Sequence, residues 1–179
     1  PVERDFSVLA LALGVENSFT PNLLGGIRIG GQACEYSDSS LDGEVSPYAR
    51  LSIEGLAGES IRLGTTLDHG VRDSDVYPFV SQEYTQLRGF AHARLGSRCA
   101  LRGSATYRVS SYDEDDLPAT ATPAVREGDE TTIVGDLEFS VTPVSMLALF
   151  TGLRVEDIDS DVGQSYTKAT VRFGTTLSF

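Results

Sequence analysis

The sequence feature that most constrains the fold is a strict alternation of apolar and polar residues over positions 167–179. The odd positions of this segment are mainly apolar or aromatic, whereas its even positions carry Lys168, Arg172, hydroxyl side chains and glycine. Successive side chains of a β-strand point to opposite faces, so the pattern predicts a strand with one apolar and one polar face. We expect this strand to be longer than the roughly five or six residues of an average globular strand.

Similar alternation along the rest of the chain predicts an all-β fold. It is clearest over residues 61–68, 101–109 and 133–141, and less regular over 23–33, 47–55, 87–95 and 147–155. An almost wholly apolar stretch at 6–15 opens the chain. Together with the last segment these give nine predicted strands, and we find no segment with a convincing helical period.

The connections between the predicted strands alternate between short turns and long polar loops. The short turns lie at 20–22, 56–59, 96–98 and 142–144, and the long loops at 36–44, 72–80, 112–129 and 157–163. Short turns at one rim and long loops at the other are typical of antiparallel up-and-down β-barrels of the bacterial outer membrane, with the short turns in the periplasm. A water-soluble up-and-down barrel could show the same alternation of loops. The residues on the two strand faces therefore have to distinguish a membrane barrel from a water-soluble one.

The basic residues of the strands share one face, which carries ten of the 14 Lys and Arg residues. In a membrane barrel this face lines the lumen and the apolar face contacts lipid. The apolar face mixes Gly and Ala with larger residues too irregularly to pack a dense core, which favours lipid. We therefore predict a single transmembrane barrel domain with Arg154, Glu156 and these residues lining its lumen: Arg28, Arg50, Glu54, Arg62, Asp68, Arg88, Arg94, Arg102, Arg108, Asp136, Glu138, Lys168 and Arg172.

The last residue, Phe179, stands at an apolar-face position of the final strand. A terminal aromatic residue that closes a strand of period two resembles the insertion signal of bacterial outer-membrane proteins. We therefore expect Phe179 to act as an assembly signal read by the barrel-assembly machinery.

The net charge of −12 arises largely in and beside the long loops, which together with the adjoining Glu130 hold fifteen of the 26 Asp and Glu residues. This balance argues against nucleic acid as a partner, because a phosphate backbone needs a basic face. The expected partners are outer-membrane lipid and lipopolysaccharide. Acidic loops are most often simply solvated, but their carboxylates could also hold divalent cations such as Ca²⁺ or Mg²⁺ near the lipopolysaccharide.

The sequence predicts neither an enzyme active site nor a cofactor. Only two histidines occur, and Asp68 directly precedes His69 in one strand, so their side chains point to opposite faces. His92 stands on the polar face between Arg88 and Arg94, where we expect a wall residue rather than a catalytic base. No spacing typical of metal ligands or of a phosphate-binding loop is present.

Three segments carry a family resemblance: Thr-Pro-Asn-Leu at 20–23, Ser-Pro-Tyr-Ala-Arg-Leu at 46–51, and Arg-Phe-Gly-Thr-Thr-Leu-Ser-Phe at 172–179. They resemble segments of a β-barrel porin family of Gram-negative bacteria, and the likeness extends over most of the chain as a style of strands and turns. The resemblance implies an outer-membrane channel. Members of that family are larger than this chain.

The number of strands leaves two functions open. Nine strands would place the N-terminus outside the cell, whereas bacterial barrels normally have an even number of strands. Either the chain is the C-terminal part of a larger barrel, or residues 6–15 are not a wall strand and eight strands close, or a tenth strand exists. A wide barrel predicts a porin-like passive channel for small solutes that favours anions. A small closed barrel predicts a membrane anchor, envelope-stabilising or surface-binding module without a pore.

Overall fold

The computed structural model describes residues 6–36, 44–114, 117, 127–144 and 146–177. These residues form nine strands of 12 to 17 residues each. The strands are β1 (Phe6–Thr20), β2 (Leu23–Tyr36), β3 (Glu44–Ala57), β4 (Ile61–Asp73), β5 (Ser81–Leu95), β6 (Cys99–Tyr112), β7 (Gly128–Val144), β8 (Leu147–Ser160) and β9 (Tyr166–Leu177). The nine predicted strands are thereby confirmed. The described residues contain no helix of the length and apolar character needed to span a membrane.

All nine strands belong to one sheet, and each pairs antiparallel with the next strand along the chain. The predicted up-and-down order is therefore confirmed. The segment at 6–15 lies in β1 and pairs with β2, so the alternative that left it out of the sheet is wrong. Among the described residues β1 and β9 do not pair, and the sheet is open at both edges.

Two of the short turns depend on glycine. Gly58 between β3 and β4 has a φ of 69°, and Gly96 between β5 and β6 has a φ of 82°. Residues with a Cβ rarely adopt this left-handed conformation, whereas glycine adopts it readily. Both glycines lie in predicted short turns, which the structure confirms at 58–60 and 96–98.

Several strands extend further into the predicted long loops than the alternation indicated. β8 runs on to Ser160, with Asp157 opposite Thr167 and Asp159 opposite Thr131. The first half of the predicted loop at 157–163 is therefore strand, because main-chain pairing continues after the apolar residues end. The same correction applies to other residues assigned to acidic loops, since strands also contain Glu44, Asp73, Asp129 and Glu130.

The sheet is strongly curved at its long-loop end. Beyond the pair Ala49–His69, β3 no longer pairs with β4, and Gln32 of β2 reaches across the gap. Its Oε1 accepts a hydrogen bond of 2.7 Å from the main-chain N–H of Val71 in β4. On the other side, Val76 of the β4–β5 loop lies against the β8–β9 loop beside Gly163. A flat sheet could not bring these two loops together.

A small hydrophobic core lies at the long-loop end rather than between two layers. The rings of Phe79 and Tyr112 are buried, with their centroids 5.1 Å apart. Leu117 completes the buried cluster, and Val76 and Val162 pack against it. The core is thus built mainly from loops that meet over one face of the sheet.

Toward the short-turn end, two phenylalanine rings lie over glycines of neighbouring strands. Phe90 of β5 is paired with Gly64 of β4, and Phe150 of β8 is paired with Gly174 of β9. A Cβ at either glycine would collide with the opposite ring. These glycines are therefore needed for close cross-strand packing and not for a turn.

Candidate functional site

The strand register places the predicted lumen-lining residues on one face of the sheet, called here the polar face. Arg50 is paired with Asp68, and His92 is paired with both Arg62 and Arg102. Directly paired residues share a face, as do alternate residues of one strand. The same register brings to the polar face Arg28, Glu54, Arg88, Arg94, Arg108, Asp136, Glu138, Lys168 and Arg172.

Ion pairs link neighbouring strands across the polar face. Arg62 donates two hydrogen bonds to Glu54, one from Nε at 2.7 Å and one from Nη2 at 2.8 Å. Arg50 donates from Nε to Asp68, whose side chain is 9% exposed. A guanidinium group that meets a carboxylate in this way makes a strong, directional contact.

A second group of ion pairs joins β6, β7, β8 and β9. Asp136 of β7 lies 2.7 Å from Arg172 Nη2 and 3.5 Å from Arg154 Nη1, so it contacts both the adjacent strand β8 and the next strand, β9. The distance between Arg102 Nη1 and Glu138 Oε1 is 3.6 Å, which is longer than a hydrogen bond. Asp136 of β7 therefore holds Arg172 of β9 more closely than Glu138 of β7 holds Arg102 of β6.

A cavity of about 510 Å³ opens on the polar face toward the short-turn end. The Arg62 guanidinium carbon lies 5.9 Å from the centroid of the Phe90 ring, which forms one wall of the cavity. Among the described residues, His92 Nε2 is buried without a hydrogen-bond partner. The basic residues that line the cavity are Arg62, Arg88, Arg102 and Arg172.

The β4–β5 loop, residues 74–80, folds over the polar face at its long-loop end. Asp75 Oδ2 accepts a hydrogen bond of 3.2 Å from Arg108 Nη2 of β6. The Arg108 side chain is only 13% exposed and also lies 3.7 Å from Glu130 Oε1 of β7. Asp75 therefore ties the loop to the sheet through a largely buried guanidinium group.

Sequence reasoning interpreted residues 72–80 as a polar, solvated loop, and this is wrong for its second half. Val76, Tyr77, Phe79 and Val80 are apolar or aromatic, and the last two are buried. Such a cluster in a predicted loop was the available signal that the segment packs against the sheet. Asp75 was consequently missed as a polar-face contact.

The opposite face of the sheet, formed by the odd-numbered strand residues and called here the apolar face, is open to the surroundings. Leu11, Leu13 and Phe173 are 81%, 83% and 78% exposed. Large exposed side chains of this kind continue along every strand from β1 to β9. A contiguous apolar surface beyond a few hundred Å² is unusual for a water-soluble monomer and marks a surface that contacts lipid or protein.

Acidic residues and histidine interrupt the apolar face only near the long-loop end of the described strands. Between Thr85 and Leu95 of β5, the apolar-face positions of this 11-residue stretch are uncharged. At about 3.4 Å per residue and a tilt of about 45°, such a stretch covers roughly 25 Å of depth. The acidic residues and the histidine of the apolar face are Glu35, His69, Asp73, Glu83, Asp129, Asp157 and Asp159.

Asp68 and His69 project to opposite faces, as predicted. Asp68 pairs with Arg50 on the polar face. His69 Nε2 lies 3.1 Å from Glu83 Oε1, and its Nδ1 lies 3.0 Å from Thr85 Oγ1, both on the apolar face. These two side chains therefore cannot act on one substrate together.

Two expectations concern residues that lie wholly or partly outside the part of the chain that the structure describes. Phe179 lies outside the described residues, so its role as an assembly signal stays a prediction. Several acidic loop residues, Asp38, Asp42, Asp115 and Asp116, also lie outside them, and divalent-cation binding stays a prediction. Within the described ranges, no group of three or more His, Cys, Asp or Glu residues is arranged to hold a metal ion.

No protein-family model matches the chain, and no curated protein or solved structure shows significant similarity to it. The resemblance to β-barrel porins therefore stays a prediction drawn from the strands and turns. The two faces of the sheet are the features from which function can be inferred.

Proposed function

We propose that the chain forms wall strands of a bacterial outer-membrane β-barrel and that small solutes diffuse passively through its lumen. The observation that carries this proposal is the contrast between a charged, partly covered polar face and an exposed apolar face. In water, burial of apolar surface is the main favourable term in folding, which would put the apolar face inside. Lipid outside and water inside explain the opposite arrangement.

The dimensions of the strands support the same environment. A transmembrane β-strand needs about 9–11 residues, and the strands here have 12 to 17. The uncharged stretch of β5 matches the roughly 25 Å apolar belt of outer-membrane barrels. Main-chain groups in a bilayer must all be paired, so the open edges of β1 and β9 need further strands. The complete barrel then has more than nine strands.

The width of the lumen depends on how many further strands complete the barrel. Eight strands leave room only for side chains, whereas sixteen or more leave a water-filled channel. Opposite charges on the wall and the 510 Å³ cavity between them favour water and small polar solutes over a packed interior. Passive diffusion therefore fits the polar face better than a filled core does.

A second candidate is a barrel without a pore that serves as a membrane anchor, an envelope-stabilising element or a surface-binding module. The β4–β5 loop favours it, because Asp75 and the buried Phe79 hold the loop over the polar face, where a solute would pass. Conductance separates the two candidates.

Adjacent substitutions in β7 test whether the apolar face contacts lipid. Leu137 is 52% exposed on the apolar face, and Leu137→Arg should lower the free energy of unfolding by about 2–4 kcal/mol. Glu138→Arg changes the next residue, on the polar face, and should cost less although it removes the carboxylate beside Arg102. Equilibrium unfolding in phospholipid vesicles measures both variants. Equal costs would reject the assignment of the faces.

Planar-bilayer recording of the full-length protein tests the channel itself. A porin-like barrel should give steady conductance that rises with salt concentration, because the permeating ions carry the current. Folded protein that inserts but gives no steady conductance would reject the channel and leave the anchor.

A further inference from the structure

Charge on the polar face is only partly neutralised around the cavity at the short-turn end. Arg62 is held by both oxygens of Glu54, and Arg172 lies 2.7 Å from Asp136. Arg88 lines the same cavity, and within the described part of the chain it forms no ion pair with a carboxylate. An arginine that is placed on a water-filled wall without a carboxylate can bind a mobile anion.

Arg102 is a second basic residue of the cavity with unused donors. Its nearest carboxylate oxygen, Oε1 of Glu138, is 3.6 Å from Nη1, and its side chain is 62% exposed. A guanidinium group has five N–H donors, and a contact of this length uses none of them fully. Arg102 therefore attracts Glu138 electrostatically while its hydrogen-bonding groups stay available to a ligand.

The strand register brings these groups to one place. His92 on β5 is paired with Arg62 on β4 and with Arg102 on β6, so the three form one row across the polar face. Arg88 lies four residues from His92 in β5 and on the same face. Four residues of a strand span about 13 Å, so Arg88 and Arg102 approach the site from opposite ends, and both side chains line the same cavity.

His92 supplies an independent sign of a missing partner. Its Nε2 is buried and makes no hydrogen bond to the described residues. Buried polar atoms without a partner are rare, because water or a ligand normally satisfies them. The adjacent Phe90 ring gives the cavity an apolar wall. The site thus combines cationic donors, a buried ring nitrogen and an apolar surface.

We propose that this cavity binds the oxyanion group of a small organic anion, a carboxylate or a phosphate, through Arg88 and Arg102, which lie on either side of His92. The parallel N–H groups of a guanidinium match two oxygens of such a group, which makes the contact strong and directional. By contrast, Arg50 nearer the long loops is already bound to Asp68. The proposal rests on the proposed channel function and names anions as the solutes that the wall favours.

Calorimetric titration of the refolded full-length protein in an uncharged maltoside detergent tests the site without requiring conductance. Sodium phosphate and sodium succinate are titrated separately, each with sodium chloride as the reference anion. We expect saturable binding of at least one of the two. Arg88→Gln and Arg102→Gln should each weaken that binding by about tenfold or more, because each removes a charge-assisted pair of hydrogen bonds.

Two further variants separate the site from general charge effects. Arg98→Gln removes the same charge in the β5–β6 turn, outside the cavity, and should change the affinity by no more than about twofold because water and salt screen it. Arg88→Lys keeps the charge but loses the paired donors, and it should bind between wild type and Arg88→Gln. Circular dichroism confirms that each variant has folded.

The outcomes are distinct. Binding of phosphate alone, succinate alone or both, with the expected losses, identifies the class of oxyanion. Binding of neither anion, or equal losses in Arg98→Gln and Arg88→Gln, would overturn the site. Arginine-dependent binding by a protein that does not conduct would keep the site and reject the channel. Conductance without such binding would keep the channel and reject the site.

Discussion

The two ends of the polar face differ in how their charged residues are satisfied. At the long-loop end, Arg108 and Glu130 have side chains 13% and 5% exposed, and the β4–β5 loop covers them. At the short-turn end, the side chains of Arg62 and Glu54 are 55% and 35% exposed, and the neighbouring Arg88 has no carboxylate partner among the described residues. Around Arg108 the polar face is covered and paired, whereas around Arg88 it is open and, among the described residues, partly unpaired.

This difference separates two roles of charge on a single face. A buried ion pair resists the loss of either partner, because the remaining charge cannot return to water. An exposed pair contributes little to stability but keeps its electric field accessible to passing ions. We therefore expect substitutions at the long-loop end to change stability and those at the short-turn end to change selectivity.

The largest expected effect is at Arg108. Arg108→Leu leaves the buried Glu130 without its cation partner among the described residues, and it removes one of the two arginines that contact Asp75 of the β4–β5 loop, the other being Arg72. The free energy of unfolding should fall by about 3–5 kcal/mol, as is usual when one partner of a buried ion pair is removed. Equilibrium unfolding in guanidinium chloride, with the protein refolded in lipid, measures the change.

Arg28→Leu is the matched control for Arg108→Leu. Arg28 Nη2 lies 2.8 Å from Glu16 Oε1, but the two side chains are 51% and 60% exposed. Loss of such a pair costs about 0–1 kcal/mol. Similar losses in both variants would contradict the division of the polar face into a stabilising end and an accessible end.

An intermediate effect, on ion selectivity rather than stability, is expected at the short-turn end. In a salt gradient, the wild-type channel should show a reversal potential shifted toward anions, because the basic residues of the cavity concentrate them. The triple replacement of Arg62, Arg102 and Arg172 by Glu should shift the potential toward cations. The difference should shrink near 1 M salt, where the Debye length is about 3 Å.

The selectivity experiment has a control variant and a result that would contradict the prediction. Arg98→Glu changes a charge in the β5–β6 turn and should shift the reversal potential much less than the triple variant. A triple variant that conducts with unchanged selectivity would show that the cavity is not part of the solute path.

The smallest expected change in stability is at Phe179. If this residue is an assembly signal, its deletion should reduce insertion into the outer membrane of cells. The folded barrel should lose no more than about 0.5 kcal/mol of unfolding free energy, as for an ordinary surface change. Quantifying folded protein in membrane fractions and unfolding the purified variant give the two numbers. Normal insertion of the deletion variant would remove the assembly role.

Strand alternation predicted the number, order and faces of the strands because it follows directly from which side of a strand each residue occupies. It predicted the shared face of Arg62, His92 and Arg102 for the same reason. It could not reveal that Arg62 is bound by both oxygens of Glu54 while Arg88 has no carboxylate partner among the described residues, since hydrogen bonds depend on side-chain conformations. The cavity was therefore visible in the sequence only as a row of basic residues.

The long-loop end was predicted least well because its structure depends on contacts between distant segments. The side chain of Gln32 replaces a main-chain partner of Val71, which is 39 residues away in the sequence. The β4–β5 loop packs through Asp75 onto Arg108, a pairing 33 residues apart. Neither contact follows a local period, and both lie where the alternation of the strands weakens.

The phenylalanine rings over Gly64 and Gly174 have a consequence for how neighbouring strands find each other during folding. A slip of one residue would exchange the two faces, and the alternation already opposes it. A slip of two residues preserves the faces, and the alternation cannot distinguish it from the native pairing. Such a slip would place Phe90 opposite Arg62 or Thr66, and Phe150 opposite Arg172 or Thr176, where the ring has no glycine to cover. Close packing of the rings on these two glycines therefore favours one strand register among those that the hydrophobic pattern alone would permit.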